Sequence, residues 1–278
     1  MNAAGPAPLT RVRVAQLAGG DLVAREVPAG AAAREAFLAA PVEGAGIDTR
    51  TLPPGALFVP LPGRHADGHD FLAEAFARGA AVALCARERH EAWRGREPGP
   101  LVVVDDVTAA LGRLAHGHRR GWNGLLLCVT GSAGKTTTRE LVAAALATAG
   151  PVLRTRGNLN NQWGTPLTLL GLRPEHRSAV VEIGTNHPGE IAALTALAAP
   201  NAAVITNAGR AHLEGFGTLE AVAREKASLG FALEAGQPLF AGADSPPLLA
   251  ALAGVRARLV TYGLARSADV RPERVTDL

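Results

Sequence analysis

From residue 125 onward, short apolar runs alternate regularly with helical patterns, and this alternation leaves few folds open to the chain. It is typical of a parallel sheet that is covered by helices on both faces. In such a sheet the loops at the carboxyl ends of the strands meet at one edge, where ligands bind. The predicted strands are residues 125–130, 152–155, 179–182, 202–206, 238–241 and 256–261, and the predicted helices are residues 135–149, 188–197 and 219–233.

The first part of the chain has a shorter α/β pattern of its own. Its predicted strands are residues 56–60, 81–85 and 101–104, and its predicted helices are residues 70–78 and 108–119. A Gly-Trp-Asn-Gly turn separates this pattern from the longer one. The chain has 278 residues, of which 47% are hydrophobic, so it is long enough for two cores. The predicted domains are residues 1–120, a small α/β domain, and residues 121–278, a P-loop-type domain with a mostly parallel sheet.

The composition excludes several classes of protein. The formal net charge is only +3 and the basic residues are scattered, so there is no patch for nucleic acid. No apolar run approaches the ~18 residues of a membrane span, and the N-terminus lacks the features of a secretory signal. Two cysteines are too few for a disulfide framework. The sequence therefore predicts a cytoplasmic protein without membrane insertion or a nucleic-acid partner.

The strongest chemical signal is a glycine-rich stretch between a predicted strand and a predicted helix. Gly131 and Gly134 let the backbone approach a phosphate closely, and the start of a helix favours an anion. Lys135 would reach the β- and γ-phosphates, and the Thr136 hydroxyl would bind Mg²⁺. Val129 stands where the common phosphate-loop pattern has its first glycine, so an ordinary strand-to-helix turn is the alternative. The predicted ATP-binding residues are Gly131, Ser132, Ala133, Gly134, Lys135, Thr136 and Thr137.

A bias among the basic residues singles out two positions. Lysine and arginine together number 28, yet only Lys135 and Lys226 are lysines. A lysine amine supports chemistry that a guanidinium does not, so a chemical role is one explanation and chance survival is the other. For Lys226, which lies in a predicted helix, a solvated side chain is the ordinary interpretation.

Further polar groups follow the predicted strands of the second domain. Glu182 ends an apolar strand, where its carboxylate would offer Mg²⁺ a hard oxygen ligand beside nucleotide phosphates. His212 lies in the loop after strand 202–206 and so belongs at the same edge. Residues 157–162 and 184–190 form two loops rich in side-chain amides, which suit a polar sugar or peptide. A solvated glutamate, a solvated histidine and turn-forming asparagines are the alternatives.

Taken together, these residues resemble the Mur ligases of peptidoglycan synthesis. The resemblance spans nearly the whole chain in the order that the family shows. Within the family, the GNLNN and NHPGEI stretches favour the member that adds D-alanyl-D-alanine to UDP-N-acetylmuramoyl-tripeptide. The segments that carry it are DTRTLPPGALFVPLPGRHADGHDF (48–71), VTGSAGKTTTRE (129–140), GNLNNQWGTPLTLL (157–170), VVEIGTNHPGEI (180–191) and NAGRAHLEGFGTLEAVAREK (207–226).

The resemblance implies where the UDP-linked substrate binds. Residues 48–71 would belong to an N-terminal domain that holds the UDP part, with Thr49 and Arg50 in the loop that touches it. The residues implied to line the muramoyl-peptide path are Asn158, Asn160, Asn161, Asn186 and His187.

The resemblance also implies the metal ligands and the catalytic groups. Thr136 and Glu182 would hold one Mg²⁺. His212 would help to hold a second, with Lys226 carbamylated so that its new carboxylate steadies that ion. The implied catalytic residues are Lys135, Lys226 and His212.

The implied reaction is acyl activation by ATP. The terminal carboxylate of the UDP-muramoyl-tripeptide attacks the γ-phosphate, an acyl phosphate forms, and the amine of D-alanyl-D-alanine displaces phosphate. Charge stabilisation by Mg²⁺ and Lys135 would supply most of the catalysis.

The chain departs from the family in a few places. Ala133 stands where family phosphate loops usually have asparagine, and Gln162 and Trp163 also differ from the commoner residues. The C-terminal ligase domain of the family, and the end of the ATP domain, are expected to be absent from these 278 residues. Two alternatives stay open: another amide ligase of the Mur or folylpolyglutamate synthase type, and a non-catalytic remnant that binds a nucleotide or UDP-sugar. The UDP-type N-terminal segment argues against the folate enzyme.

Overall fold

Two sheets, one of five strands and one of six, organise the chain. The structure, a computed structural model, describes residues 6–63, 66–210 and 213–274. Each sheet belongs to its own compact unit. The first unit extends to Asn123 and includes the segment Leu169–Pro174, and the second contains residues 124–168 and the chain from residue 175 onward.

The first unit is built around a sheet with the strand order β1-β5-β4-β3-β2. Its elements are α1 (Arg11–Ala18), β1 (Asp21–Val23), α2 (Ala31–Ala39), β2 (Ala45–Gly46), β3 (Leu57–Phe58), α3 (Leu72–Ala77), β4 (Val82–Ala86), α4 (Arg87–His90), β5 (Leu101–Val104) and α5 (Val107–Arg120). Strand β1 is antiparallel to β5, and the other neighbours are parallel. Every residue of β4 and β5 is buried, as a sheet covered on both faces requires.

The second unit is built around an entirely parallel sheet with the order β11-β10-β9-β6-β8-β7. Its elements are β6 (Leu125–Thr130), α6 (Lys135–Ala147), β7 (Val152–Arg154), α7 (Gly164–Leu169, whose last residue belongs to the first unit), β8 (Ser178–Glu182), α8 (Glu190–Ala198), β9 (Ala202–Ile205), α9 (Leu213–Phe216), α10 (Leu219–Phe231), β10 (Pro238–Gly242), α11 (Pro246–Ala251) and β11 (Arg258–Tyr262). The core includes Leu127, Val129, Val180 and Val204.

The order of the strands reverses at β6. The chain places β7 and β8 on one side of β6 and then crosses to β9, β10 and β11 on the other. In the register of the sheet, Val129 of β6 pairs with Glu182 of β8, and Thr130 pairs with Ile205 of β9. The loop after β6 is therefore flanked by the loops after β8 and β9, which is the arrangement that forms a ligand crevice in open α/β sheets.

The α/β class with parallel sheets is confirmed, and each predicted strand is found within two residues of its expected ends. The structure adds strands β1 and β2 and helices α1, α2, α4, α9 and α11, which the sequence analysis did not predict. They are short, and no residue of α2 is buried, so their apolar periodicity is weak. The helix expected to start at Asp70 instead begins with a 3₁₀ turn, Gly68–Phe71, because the Asp67 carboxylate accepts a hydrogen bond from the backbone N–H of His69 (2.9 Å). Within the described ranges, no helix is long and apolar enough to cross a membrane.

Two phenylalanines of the first unit provide a test of this core. Phe58 is 1% exposed, whereas Phe71 is 40% exposed. We expect Phe58→Ala to lower the free energy of unfolding by ~3–5 kcal/mol, because it loses buried area and leaves a cavity. Phe71→Ala, the matched control, should cost about 1 kcal/mol or less. Urea denaturation followed by circular dichroism measures both, and equal losses would contradict the assignment of Phe58 to the core.

Candidate functional site

The glycine-rich loop joins β6 to α6 at the point where the strand order reverses. Gly131 has φ +151° and Gly134 has φ +77°, values that side-chain-bearing residues rarely adopt. A Cβ on Gly131 would also collide with the Thr206 hydroxyl. Helix α6 starts directly after Gly134, so its first N–H groups have no partner within the helix and face the loop. This combination is the one expected of an anion site.

The loop after β9 holds the tip of the glycine-rich loop in place. The Asn207 side chain accepts a hydrogen bond from the Ala133 N–H and donates one to the Ala133 carbonyl, both at 3.1 Å. The Thr206 hydroxyl donates to the same carbonyl (2.6 Å). The Ser132 hydroxyl accepts from the Gly209 N–H (2.9 Å). The Ser132 N–H donates to the Asn207 carbonyl (3.1 Å), so the N–H groups of Ser132 and Ala133 are both engaged and the start of α6 is left as the candidate anion-binding part.

Three of the predicted chemical groups converge beside this loop. The Thr136 hydroxyl lies 3.0 Å from Oε2 of Glu182, which is 2% exposed. The Lys135 ammonium donates to the Gly131 carbonyl (2.7 Å). Burial lowers the pKa of Lys135, and the charge of Glu182 opposes that shift. The geometry unites a hydroxyl, a carboxylate and an ammonium at the start of one helix.

The sequence analysis missed the arginine that neutralises this carboxylate. Arg139 is 4% exposed, and its Nη1 donates to Glu182 Oε2 (3.0 Å). Arg139 follows Thr136 by three residues on α6, so both side chains lie on the same face of the helix. This three-residue spacing on a predicted helix is the sequence feature from which the position of Arg139 beside Thr136 could have been predicted.

The amide-rich loops take up positions on the other side of Glu182. A cavity of about 190 Å³ lies here, and its walls include Lys135, Asn160, Asn161 and Asn186. Asn160 donates from Nδ2 to Glu182 Oε1 (2.8 Å). The structure therefore brings together three of the five residues expected along the peptide path. Asn158 and His187 are exposed and do not line this cavity.

Turn chemistry accounts for part of the asparagine content. Asn161 Oδ1 accepts from the N–H groups of Trp163 (3.2 Å) and Gly164 (2.9 Å) and so starts helix α7. Glu190, another residue that sequence reasoning missed, accepts from the N–H groups of Asn186 (2.6 Å) and His187 (3.0 Å). These bonds lower the pKa of Glu190 although burial opposes them. Glu190 therefore fixes the loop that carries Asn186.

Lys226 is buried in helix α10, contrary to the ordinary expectation for a helix lysine. Its side chain is 1% exposed and makes no hydrogen bond or ion pair with the described residues. Burial, and to a smaller extent the charge of Lys135, lower the pKa of Lys226 to about 8, although the charge of Glu225 opposes the shift. Glu225 itself accepts from the N–H groups of Gly189 and Ile191, both at 2.8 Å. His212 lies outside the described residues.

The two residues expected to touch UDP lie in the first unit. Thr49 is buried in the 3₁₀ turn Thr49–Thr51, which starts where Asp48 accepts from the Arg50 N–H (3.0 Å). Arg50 is exposed and pairs with Asp48 at 2.6 Å. Hydrogen bonds from Arg50 lower the pKa of Asp48 to about 2, so this carboxylate is charged at neutral pH.

Comparison with known proteins gives a consistent result. Residues 129–277 match the family model described as Mur ligase middle domain, and residues 41–119 match the one described as Mur ligase family, catalytic domain. UDP-N-acetylmuramoyl-tripeptide–D-alanyl-D-alanine ligase of Escherichia coli K12 is 44% identical over 66% of this chain and 39% of its own length.

Solved structures agree with these relatives. The crystal structure of MurF from Acinetobacter baumannii has a TM-score of 0.79 and 30% identity, and the match covers 96% of this chain and 55% of that one. MurF ligase from Thermotoga maritima in complex with ADP has a TM-score of 0.66 and 29% identity, covering 80% of this chain and 51% of that one. The chain spans about half the length of the curated relatives it matches.

The buried amine of Lys226 makes stability depend on pH. Its pKa is about 8 in the folded chain and 10.5 in the unfolded one. As the pH rises between these values, the folded state releases its proton while the unfolded state keeps it, so folding becomes more favourable. Relative to Lys226→Met, wild type should gain on the order of 3 kcal/mol across this window. Urea denaturation at pH 7.5 and pH 10 in CO₂-free buffer measures the difference, and an unchanged difference would show that the amine is solvated.

Proposed function

Since the chain belongs to the Mur ligase family, we propose that it binds ATP and a UDP-linked muramoyl-tripeptide for an ATP-dependent ligation to D-alanyl-D-alanine in peptidoglycan synthesis. The observation that carries the proposal is the convergence of Lys135, Thr136 and Glu182 beside a cavity walled by asparagines. The relatives named for this reaction are longer than this chain. We therefore propose, on their similarity, that the chain takes part in the complete reaction. A cytoplasmic location remains a prediction.

The residues at the sheet edge fit a Mg²⁺–ATP complex. Thr136 and Glu182 supply a hydroxyl and a carboxylate oxygen, the hard ligands that Mg²⁺ prefers, and the phosphates would supply others. When bound, Mg²⁺ would neutralise charge that develops on the transferred phosphoryl group. Within the described ranges, no cluster of three or more His, Cys, Asp or Glu side chains offers a competing metal site.

Each group of the chain then has a defined task. The free N–H groups at the start of α6 hold the phosphates. The Lys135 ammonium exchanges the Gly131 carbonyl for the β- and γ-phosphate oxygens. Asn160 and Asn186, in the wall of the cavity, orient the peptide end whose carboxylate attacks the γ-phosphate. Asn161, in the same wall, and Asn158 and His187, outside the cavity, remain proposed contacts of that path.

The UDP part of the substrate is assigned to the first unit. Thr49 sits in a turn that its neighbour Asp48 stabilises, and the Arg50 guanidinium is exposed to solvent. An exposed guanidinium can pair with a diphosphate through two parallel hydrogen bonds.

The phosphate-loop assignment is tested by Lys135→Ala. Because the ammonium would contact only the β- and γ-phosphates, we expect ATP affinity to fall by about 10- to 100-fold, the equivalent of a charge-assisted hydrogen bond. AMP, which lacks those phosphates, is the matched control ligand and should bind equally well to both proteins. Isothermal titration calorimetry measures both affinities, and an unchanged ATP affinity would refute the assignment.

A second measurement separates a ligase from a nucleotide-binding remnant. Phosphate release from ATP that requires UDP-N-acetylmuramoyl-tripeptide supports the ligase, whereas binding of both without release supports the remnant.

We also propose that Lys226 is carbamylated and acts with His212 on a second Mg²⁺. Its side chain is 1% exposed, and burial lowers the pKa of its amine to about 8, which favours the neutral form that reacts with CO₂. The neutral amine nitrogen would attack the carbon of CO₂, forming a C–N bond while one C=O π bond breaks and its electron pair moves to oxygen, and the proton would leave from nitrogen to water. The product is an anion, which attracts Mg²⁺ where the ammonium would repel it.

Carbamylation can be observed directly, because the chain has only two lysines. With ¹³C-labelled bicarbonate, we expect a carbamate resonance in wild type and in Lys135→Arg, and its loss in Lys226→Arg. The Lys135→Arg variant is the control for a general effect of losing a lysine. Identical spectra for wild type and Lys226→Arg would leave Lys226 as a buried structural amine.

A further inference from the structure

One buried arginine at the sheet edge has no part in the chemistry proposed above. Arg139 is 4% exposed, so removing its charge from water has to be compensated by close partners. On one side it donates from Nε (3.1 Å) and Nη2 (2.8 Å) to Glu140 Oε1. On the other side, Nη1 donates to Glu182 Oε2 (3.0 Å) and to the Gly157 carbonyl (2.9 Å). Nη1 of Arg139 thus links the carboxylate of Glu182, the proposed Mg²⁺ ligand, to the loop formed by residues 157–162.

A second contact joins the same carboxylate to the same loop. Asn160 donates to Glu182 Oε1 (2.8 Å), and the Asn160 carbonyl accepts from the Gly184 N–H (2.8 Å). Both carboxylate oxygens are therefore bound to partners that fix the 157–162 loop. Thr136 shares Oε2 with Arg139, so the hydroxyl proposed to bind Mg²⁺ belongs to the same network.

This network connects two binding events. A cation that holds the Glu182 carboxylate in one position also holds Arg139 and Asn160, the two side chains that connect this carboxylate to the 157–162 loop. A second ligand that contacts the ordered loop then loses less conformational entropy of the chain when it binds. Such coupling is reciprocal by thermodynamic necessity.

We propose that Arg139 is a positioning residue that ties the 157–162 loop to Glu182, so that Mg²⁺–nucleotide and the muramoyl-peptide raise each other's affinity. The inference rests on the proposed function, because it takes the two ligands from there.

The experiment measures the coupling on the 278-residue chain by calorimetry. UDP-N-acetylmuramoyl-tripeptide is titrated with and without saturating Mg²⁺ and a non-hydrolysable ATP analogue. In wild type, we expect the nucleotide complex to tighten the binding of the UDP-linked tripeptide by about fivefold or more. In Arg139→Met, this ratio should fall to about one, while affinity for ADP is retained because the start of α6 is intact.

Three further variants make the result specific. Arg154→Met removes another arginine that contacts Glu140 (2.9 Å) but not Glu182, so it should keep the wild-type ratio. Arg139→Lys keeps a cationic donor that can reach both the Glu182 carboxylate and the Gly157 carbonyl, so it should restore most of the coupling. Since Arg139→Met leaves a buried carboxylate without its cation, Arg139→Gln, which retains an amide donor for Glu182, repeats the test with less loss of stability.

The outcomes separate this inference from the proposed function. A wild-type ratio retained in both Arg139→Met and Arg139→Gln, or lost equally in Arg154→Met, would overturn the role of Arg139. Binding of both ligands to wild type without coupling would overturn the inference alone. Failure of wild type to bind either ligand would overturn the proposed function and this inference with it.

Discussion

The parallel pairing of β6 with both β8 and β9 is the constraint on which the candidate site depends. It fixes Val129 opposite Glu182 and Thr130 opposite Ile205, so three strands end at the same level. The loop that follows each of these strands carries polar groups. A shift of one residue in the β6–β8 pairing would turn Glu182 to the other face of the sheet, away from Thr136. The hydrophobic core formed by Val129, Val180 and Val204 prevents that shift, because these side chains have to remain buried.

The second feature of the site is the amount of charge that the fold buries there. Glu182, Arg139, Glu225 and Lys226 are each less than a tenth exposed. Burying charge is unfavourable unless partners compensate it, so such a cluster contributes little to stability and is characteristic of a functional site. Three of these residues have close partners. Lys226 is the least exposed of the four, at 1%.

The amide-rich loops show how structure and recognition share the same residues. Asn161 accepts the hydrogen bond that starts helix α7, and Asn160 donates to the Glu182 carboxylate. Asn207 binds the backbone of Ala133 at the tip of the glycine-rich loop. Each of these amides also lies at or near the edge where substrates would bind. These contacts hold the loops against the edge of the sheet where substrates would bind.

The sequence by itself determined the fold class, the order of most elements and the edge at which the chemistry would gather, because apolar periodicity and strand-to-loop transitions are local properties. It also singled out Lys135, Thr136 and Glu182 as candidate site residues, since a glycine-rich turn and a strand-end carboxylate are local signals. Only the tertiary structure decided which side chains meet. The pairing of Arg139 with Glu182 joins residues 43 positions apart, and the clamp of Asn207 on Ala133 joins residues 74 apart. The burial of Lys226 likewise depends on how α10 packs, because a helix pattern alone does not reveal which neighbours exclude water from one amine.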